Sequence, residues 1–373
     1  VAGLQLAAYP LAKNITNPII ASYSHKSNIL NWIKPKYIKE TKKINEVYRF
    51  ASISMLEHVN TPYPIIYNLP EEGMLDINDG DILKLCPDGT VKRVFNASST
   101  QNVLFVTEAC NSQCIMCPQP QTPLDYSDEV LEILSCIPKK SLREICISGG
   151  EPTVGIKIFE IMETLKRYTY VEPIILTNGR KFNNKSFTQS FIDRAPFNTV
   201  YAIPLYSSIP EVHDRIVGVS GAFRETINGI YNLSAFRVPI EIRIVLTSKN
   251  VFNLTELANF IGWNLPMAVH VALMGMEVCG RAYDNIEDVW IEPKSYMQEL
   301  IEATKILDYR DIPVSIYNLP LCLLPYEIRK YSTFSISQWK QGFIPECQSC
   351  TMRDECNGIF TSSKKIPDGI HAI

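Results

Sequence analysis

The stretch Val103-Leu104-Phe105-Val106-Thr107-Glu108-Ala109-Cys110-Asn111-Ser112-Gln113-Cys114-Ile115-Met116-Cys117-Pro118 sets an apolar run directly before three cysteines. The run reads as a strand and the cysteines as the loop that leaves it. From about residue 100 the same grammar repeats, with short apolar runs alternating with stretches of helical apolar spacing, the mark of βαβ units and a parallel sheet. Runs at Val103 to Val106, Glu144 to Ile147, Pro173 to Leu176, Thr199 to Leu205, Ile240 to Leu246 and Ala268 to Met274 predict six strands. Helical spacing lies between them at Asp128 to Ile137, Ile156 to Arg167, Ser186 to Arg194, Ala222 to Phe236 and Leu254 to Trp263. Right-handed crossovers place these helices outside a curved sheet, with functional loops at the strand carboxyl ends.

On the N-terminal side, residues 1–98 read as a small, partly β domain. Val47 to Met55 carries strand-type residues, and Asp81 to Cys86 and Val91 to Phe95 flank the turn Pro87-Asp88-Gly89-Thr90, which predicts a hairpin. No motif there carries chemistry, so docking or substrate recognition is the expected role. On the C-terminal side the strict alternation ends near residue 280. A helix from Pro293 to Leu307 and a strand near Ile312 to Tyr317 lead into a cysteine-rich tail. The expected domains are therefore 1–98, 99–280 and 281–373.

Composition bounds the function. The chain has 373 residues, 46% hydrophobic, 20% charged and 10% aromatic, as in an ordinary globular enzyme. A net charge of −3 gives no global basic field, so nucleic acid is not an expected partner. No apolar run is long enough to span a membrane; even Ile240 to Leu246 is broken by Glu241 and Arg243. Lys13 and Asn14 interrupt Val1 to Ile20 too early for a signal peptide, which points to the cytoplasm. In that reducing compartment, the eleven cysteines read as ligands or catalytic groups rather than disulfides. Cys86, Cys136, Cys146 and Cys279 stand alone among apolar residues and read as buried small hydrophobes.

The other seven cysteines cluster. Cys110, Cys114 and Cys117 put three thiolates on one loop, enough to hold three irons of a cubane and leave the fourth open to a ligand. A zinc site would want a fourth Cys or His nearby, and His58 and His213 belong to distant segments. After the second strand, Ser148-Gly149-Gly150-Glu151-Pro152 lets backbone approach a ligand closely. After the third, Thr177-Asn178-Gly179 offers small polar side chains at the same face. In the tail, Cys347, Cys350 and Cys356 supply three thiolates, with Cys322 upstream as a fourth. Four thiolates close either a cubane or a zinc ribbon, and spacing alone leaves both open.

The cysteine triplet followed by Gly-Gly-Glu-Pro resembles the radical SAM superfamily across residues 100–280. The resemblance implies an α/β fold, a partial (β/α)6 barrel, with a C-terminal auxiliary-cluster domain of twitch or SPASM type in reduced form. It implies that Cys110, Cys114 and Cys117 ligate a [4Fe-4S] cluster whose open iron chelates S-adenosylmethionine. Gly149, Gly150, Glu151 and Pro152 would then hold the methionyl amino group, Met116 would contact adenine, and Thr177 and Asn178 would lie near the ribose or methionine. Ser207 is a further cofactor candidate, and Arg243 would meet the carboxylate or form a core-edge ion pair. Cys322, Cys347, Cys350 and Cys356 would hold a second, auxiliary [4Fe-4S] cluster.

Within that superfamily, Phe105 to Pro120, Tyr317 to Cys322 and Pro345 to Cys347 resemble the radical SAM maturases of the His-Xaa-Ser system, of the HxsC type. The likeness implies modification, by crosslinking, of a ribosomally made precursor peptide with His-Xaa-Ser repeats. It further implies a second radical SAM maturase as heterodimer partner and an electron donor such as flavodoxin or ferredoxin. A radical SAM enzyme of nucleoside or cofactor biosynthesis is the competing enzymatic reading, and an iron-sulfur or zinc subunit supporting a partner is the nonenzymatic one. His213-Asp214-Arg215 reads as a base, a peptide contact or a solvated helix start. Tyr206 and Glu277 read as substrate contacts or fold support.

Overall fold

The computed structural model describes residues 10–24, 37–43, 50–70, 76–337 and 340–373. The chain divides into two compact units. Residues 1–105, 126–146 and 160–172 form the first, and 106–125, 147–159 and 173–373 the second. The 99–280 stretch is thus shared between units, while the tail belongs to the unit that carries the later barrel strands.

The first unit contains a seven-stranded mixed sheet in the order β1-β5-β4-β3-β2-β6-β7. Its strands are β1 (Leu11–Lys13), β2 (Ile19–Ser24), β3 (Tyr37–Glu40), β4 (Ala51–Ile53), β5 (Ile65–Tyr67), β6 (Ile82–Leu85) and β7 (Val91–Phe95). Strands β6 and β7 form the expected hairpin, with Leu85 opposite Val91. Val47 to Arg49, the start of one expected strand, lie outside the described residues. Ala21, Ile38, Ile53, Ile66 and Leu83 are fully buried and build this unit's core. Helix α1 (Ser127–Cys136) belongs to the same unit and is tied to the sheet by an ion pair between Glu129 and Lys84.

The second sheet also has seven strands, ordered β14-β13-β12-β11-β10-β9-β8, in a curled half-barrel. These are β8 (Val103–Phe105), β9 (Glu144–Ser148), β10 (Glu172–Leu176), β11 (Val200–Pro204), β12 (Ile240–Val245), β13 (Ala268–Met274) and β14 (Val314–Tyr317). Strands β10 through β14 pair in parallel. Six of the strands fall on the predicted runs; β14 adds a seventh, so the sheet exceeds the six-stranded expectation. Strand β14 falls on the strand expected near Ile312 to Tyr317, which the long crossover after β13 sets apart from the repeat.

Helices α2 (Ile158–Leu165), α3 (Lys185–Arg194), α5 (Ala222–Ser234), α6 (Leu254–Asn264) and α9 (Met297–Tyr309) follow the apolar spacing. Helix α4 (Pro210–Val217) contains His213-Asp214-Arg215, for which a helix start is one of the sequence readings, without bounds. Pro210 opens it, and Gly218 closes it in the left-handed conformation at φ 73°. Short helices α7 (Arg281–Asp284) and α8 (Ile286–Val289) follow β13. Among the described residues, no helix is long and apolar enough to cross a membrane.

Strand β12 shows how the sheet separates its two faces. Ile240, Ile242 and Ile244 are fully buried, whereas Glu241, Arg243 and Val245 are only half-buried. A parallel strand covered on both faces reads as a continuous apolar run. The charged alternate positions of β12 therefore mark the inner face as an open one.

Candidate active site

The cysteine loop is fastened through its backbone. The Thr107 hydroxyl donates to Leu124 O at 2.8 Å and accepts from Ala109 N at 3.1 Å. Gly150 N donates to Thr107 O at 2.7 Å and Glu151 N to Ala109 O at 2.9 Å. From the other side, Gln113 N and Ile115 N donate to Val217 O and Ile216 O at the end of α4. Arg281 N donates to Cys117 O, and the Asn285 side chain donates to Ile115 O.

This fastening explains the paired glycines. A Cβ on Gly149 would lie 2.6 Å from Thr107 O, and one on Gly150 would lie 2.5 Å from both Ala109 O and Glu108 O. No side chain fits where the cysteine loop presses against the loop after β9. The residues expected to hold a ligand's amino group thus hold the cysteine loop in the structure.

Burial raises the thiol pKa of all three cysteines, to about 11 for Cys110 and about 12 for Cys114, and each of these two is raised further by charge on its neighbours in the triplet. Ser112 N donates to Cys110 Sγ at 3.3 Å. Three mutually close sulfur donors suit a cubane with one open iron, and its positive charge would draw them into the thiolate form. Among the described residues, no three His, Cys, Asp or Glu side chains converge on a single ion.

Glu151 is 1% exposed and joins the second loop to the third. Its Oε1 accepts from Thr153 N at 3.0 Å, Thr153 Oγ1 at 2.6 Å and Thr177 Oγ1 at 2.7 Å, while Oε2 accepts from Asn178 N at 2.6 Å. Burial raises its pKa, and these donors oppose the rise. Pro152 starts the short helix that carries Thr153. Asn178 Nδ2 continues the chain of bonds to Asn111 Oδ1 at 2.6 Å and Ser112 Oγ at 3.2 Å, both on the cysteine loop. Sequence reasoning missed Arg180, which pairs with Glu225 at 2.6 Å and donates to Ser112 Oγ at 3.0 Å and to Asn111 O. Its only signal is its place beside Thr177-Asn178-Gly179.

Met116 is buried with Tyr206, Ile216 and Val217, and Cys114, Val245 and Met276 pack against the same cluster. Tyr206 is deeply buried and lies close enough to the triplet for all three thiols to raise its pKa further. His213 is not a solvated helix start but is 1% exposed, because α4 turns it inward beside Tyr206. Tyr206 N donates to its Nδ1 at 3.2 Å, so the other nitrogen, Nε2, carries the proton and has no partner among the described residues. Ser207 Oγ accepts from Ile209 N at 3.0 Å and shapes the entry to α4. Arg243 lies in an ion pair with Glu241 at 2.5 Å. Glu277 holds the tail by pairing with Lys340 at 3.1 Å and accepting from the Ser362 hydroxyl.

The tail brings its four cysteines together. Cys322, Cys347, Cys350 and Cys356 line one pocket, with Pro320 and Phe343 on its wall. Leu321 N and Gly358 N donate to Cys356 Sγ at 3.3 and 3.4 Å. Such N–H···S bonds surround iron-sulfur centres and tune them. Burial raises the Cys322 pKa, and charge on Cys356 and Cys347 adds to the rise, so these sulfurs share one locus. Cys86, Cys136, Cys146 and Cys279 are half-buried rather than fully buried.

Residues 104–261 match the family model of the radical SAM superfamily. The family uses a [4Fe-4S] cluster and S-adenosylmethionine. Among curated proteins, the chain is 26% identical over 175 residues to a probable GTP 3′,8-cyclase of Thermococcus kodakarensis, covering 44% of this chain and 54% of the relative. It is 24% identical over 223 residues to a GTP 3′,8-cyclase of Limosilactobacillus fermentum, covering 57% and 64%. The chain thus spans between half and two thirds of the length of these relatives. Among solved structures, Streptococcus suis SuiB superposes with a TM-score of 0.46 at 15% identity, covering 58% of this chain and 48% of that one.

Proposed function

We propose that the chain is a radical SAM enzyme that modifies a ribosomally made precursor peptide with His-Xaa-Ser repeats, acting with a second radical SAM maturase. The observation that carries the radical SAM part is a loop of three thiols whose backbone is fixed by Gly149, Gly150 and Glu151. A bound cluster and S-adenosylmethionine would supply one-electron cleavage of a carbon–sulfur bond and, through it, removal of a hydrogen atom from substrate. This chain's residues hold and shield that chemistry. Cys110, Cys114 and Cys117 supply the thiolates, Glu151 locks the neighbouring loops together, and Met116 and Tyr206 close the apolar side. A fixed loop keeps the reacting atoms in register and excludes water, where much of such a rate gain originates.

The peptide part rests on the sequence likeness at Phe105 to Pro120, Tyr317 to Cys322 and Pro345 to Cys347, and on the tail's four-thiol cavity. An auxiliary [4Fe-4S] cluster there would accept the electron left over when a crosslink forms, and a flavodoxin or ferredoxin would supply the electron that starts the reaction. Cofactor biosynthesis from a purine nucleotide is the second reading, favoured by the names of the curated relatives. One experiment separates them. Anaerobically reconstituted protein is given S-adenosylmethionine, reductant and either a His-Xaa-Ser peptide with its partner maturase or GTP. A peptide lighter by two hydrogens per new bond supports the maturase. Consumption of GTP with an unchanged peptide supports the second reading and overturns the first.

A further inference from the structure

Glu241, His270 and Ser315 come from three neighbouring strands and form one chain of hydrogen bonds. Glu241 Oε2 meets His270 Nδ1 at 2.9 Å, and His270 Nε2 meets Ser315 Oγ at 2.9 Å. The register seats Glu241 of β12 directly opposite His270 of β13, and Ser315 of β14 opposite Ala272, two residues further along β13. Arg243 pairs with the other Glu241 oxygen at 2.5 Å, the Tyr317 ring lies 6.1 Å from the imidazole, and Thr333 Oγ1 is 3.4 Å from Ser315 Oγ. Among the described residues, Arg243, Tyr317 and Thr333 thus border the Glu241–His270–Ser315 chain.

The network shares a face with the cysteine loop. Glu241, Arg243 and Val245 alternate along β12 on the side opposite the buried isoleucines, and Val245 packs against the cluster that Cys114 and Met116 join. Four residues of strand separate Glu241 from Val245, about 13 Å. A substrate reaching in from the cysteine loop would meet these side chains. His270 and Glu241 keep 20% and 13% of their side-chain surface exposed, so the network is reachable without being solvated.

The chemistry follows from the donors. Hydrogen bonds from His270 and Arg243 hold the Glu241 pKa down although burial opposes them, so the carboxylate is ionised and can only accept. The proton on the ring then sits on Nδ1, leaving Nε2 with a lone pair toward the Ser315 hydroxyl. We propose that Glu241, His270 and Ser315 form a proton-accepting relay for the substrate, in which His270 Nε2 takes the proton of a substrate N–H or O–H group that displaces or bonds through Ser315. Only that N–H or O–H bond breaks; its electron pair stays on the substrate atom, the proton moves to Nε2, and the imidazolium is balanced by Glu241. The freed electron pair can then bond to the carbon from which hydrogen has been removed, and the one electron left over by that bond passes to a one-electron acceptor, an iron-sulfur centre of the kind proposed for the tail. This role rests on the radical SAM reading, because that reading supplies the activated carbon.

Two measurements test it. In the reconstituted enzyme, the ratio of modified substrate to 5′-deoxyadenosine is followed against pH for the parent chain and for His270→Gln and Glu241→Gln. The relay predicts a ratio at least tenfold lower in His270→Gln, and an acidic limb in the parent profile that is lost in that variant. An unaltered ratio and pH profile in both variants overturns the relay while leaving radical formation intact. Absence of 5′-deoxyadenosine from the parent chain instead overturns the radical SAM reading. The relay is then judged by ring-nitrogen NMR on the full chain, where it requires the Nδ1–H tautomer at His270 and its loss in Glu241→Ala. An Nε2–H tautomer in the parent chain overturns it.

Discussion

The two cysteine groups solve the same problem in opposite ways. Cys110, Cys114 and Cys117 sit within eight consecutive residues on a loop gripped by backbone hydrogen bonds from the loop after β9 and from α4 and α7. Cys322, Cys347, Cys350 and Cys356 are spread over 35 residues and meet only because the tail folds around a cavity. The first site's loop is fixed by hydrogen bonds within the chain, independently of any cluster it would hold. The second has short helices and two-residue strands around it, and bound metal would supply a larger share of its order.

That contrast predicts the largest effect. Cys114→Ala should lower iron from about eight to about four per chain and reduce 5′-deoxyadenosine below detection, with the tail's centre still filled. Cys322→Ala should also cost about four irons but leave 5′-deoxyadenosine forming and increase protease cleavage in residues 320–373. Anaerobic iron analysis, nucleoside chromatography and limited proteolysis read the three quantities. Equal loss of 5′-deoxyadenosine in both variants would erase the distinction between the sites.

A smaller effect probes the grip itself. Gly150→Ala puts a methyl group 2.5 Å from two carbonyl oxygens of the cysteine loop, and backbone cannot yield as a flexible side chain would. Overpacking of this kind costs about 3 kcal/mol. The expected outcome is a lower urea midpoint and poor iron uptake at the first site, with uptake by the tail preserved. A variant as stable and as iron-rich as the parent would show that the loop is not held there.

How much of this could be read from sequence follows the same divide between local and distant. The triplet, the Gly-Gly-Glu-Pro motif and six strands were legible because each is a pattern within a dozen residues. The role of the glycines was not, since the carbonyls they accommodate lie about forty residues upstream, at Thr107, Glu108 and Ala109. Glu241 and His270 are 29 residues apart and His270 and Ser315 are 45, so their chain of bonds exists only in the register of three strands. His213 misled for a different reason. His-Asp-Arg looks like a solvated run, and only the placement of α4 turns the imidazole inward while Asp214 caps the following helix, accepting from Phe223 N at 2.7 Å. The N-terminal sheet has very short strands, several only three residues long, which leave little periodicity to detect.

His213 also supplies the smallest effect and the one most specific to the first site. Burial lowers its pKa from 6.5 to about 4, so the folded chain keeps it neutral while the unfolded chain binds a proton below about pH 6.5. Between those values the unfolded state holds more protons, and stability therefore falls as pH falls. From pH 7.5 to 5.5 the loss from this group is about 1 kcal/mol, and it approaches 3 kcal/mol near pH 4. The strain falls on α4, whose last carbonyls carry Gln113 and Ile115 of the cysteine loop, and not on the tail. Mild acid should accordingly release iron from the first site before the second, and His213→Phe should flatten the pH dependence of the urea midpoint by about 1 kcal/mol over that interval. Spectroscopy of each centre between pH 7.5 and 5.5, in variants retaining only one set of cysteines, reads the order of release. Simultaneous release would mean that the support of the loop does not run through α4.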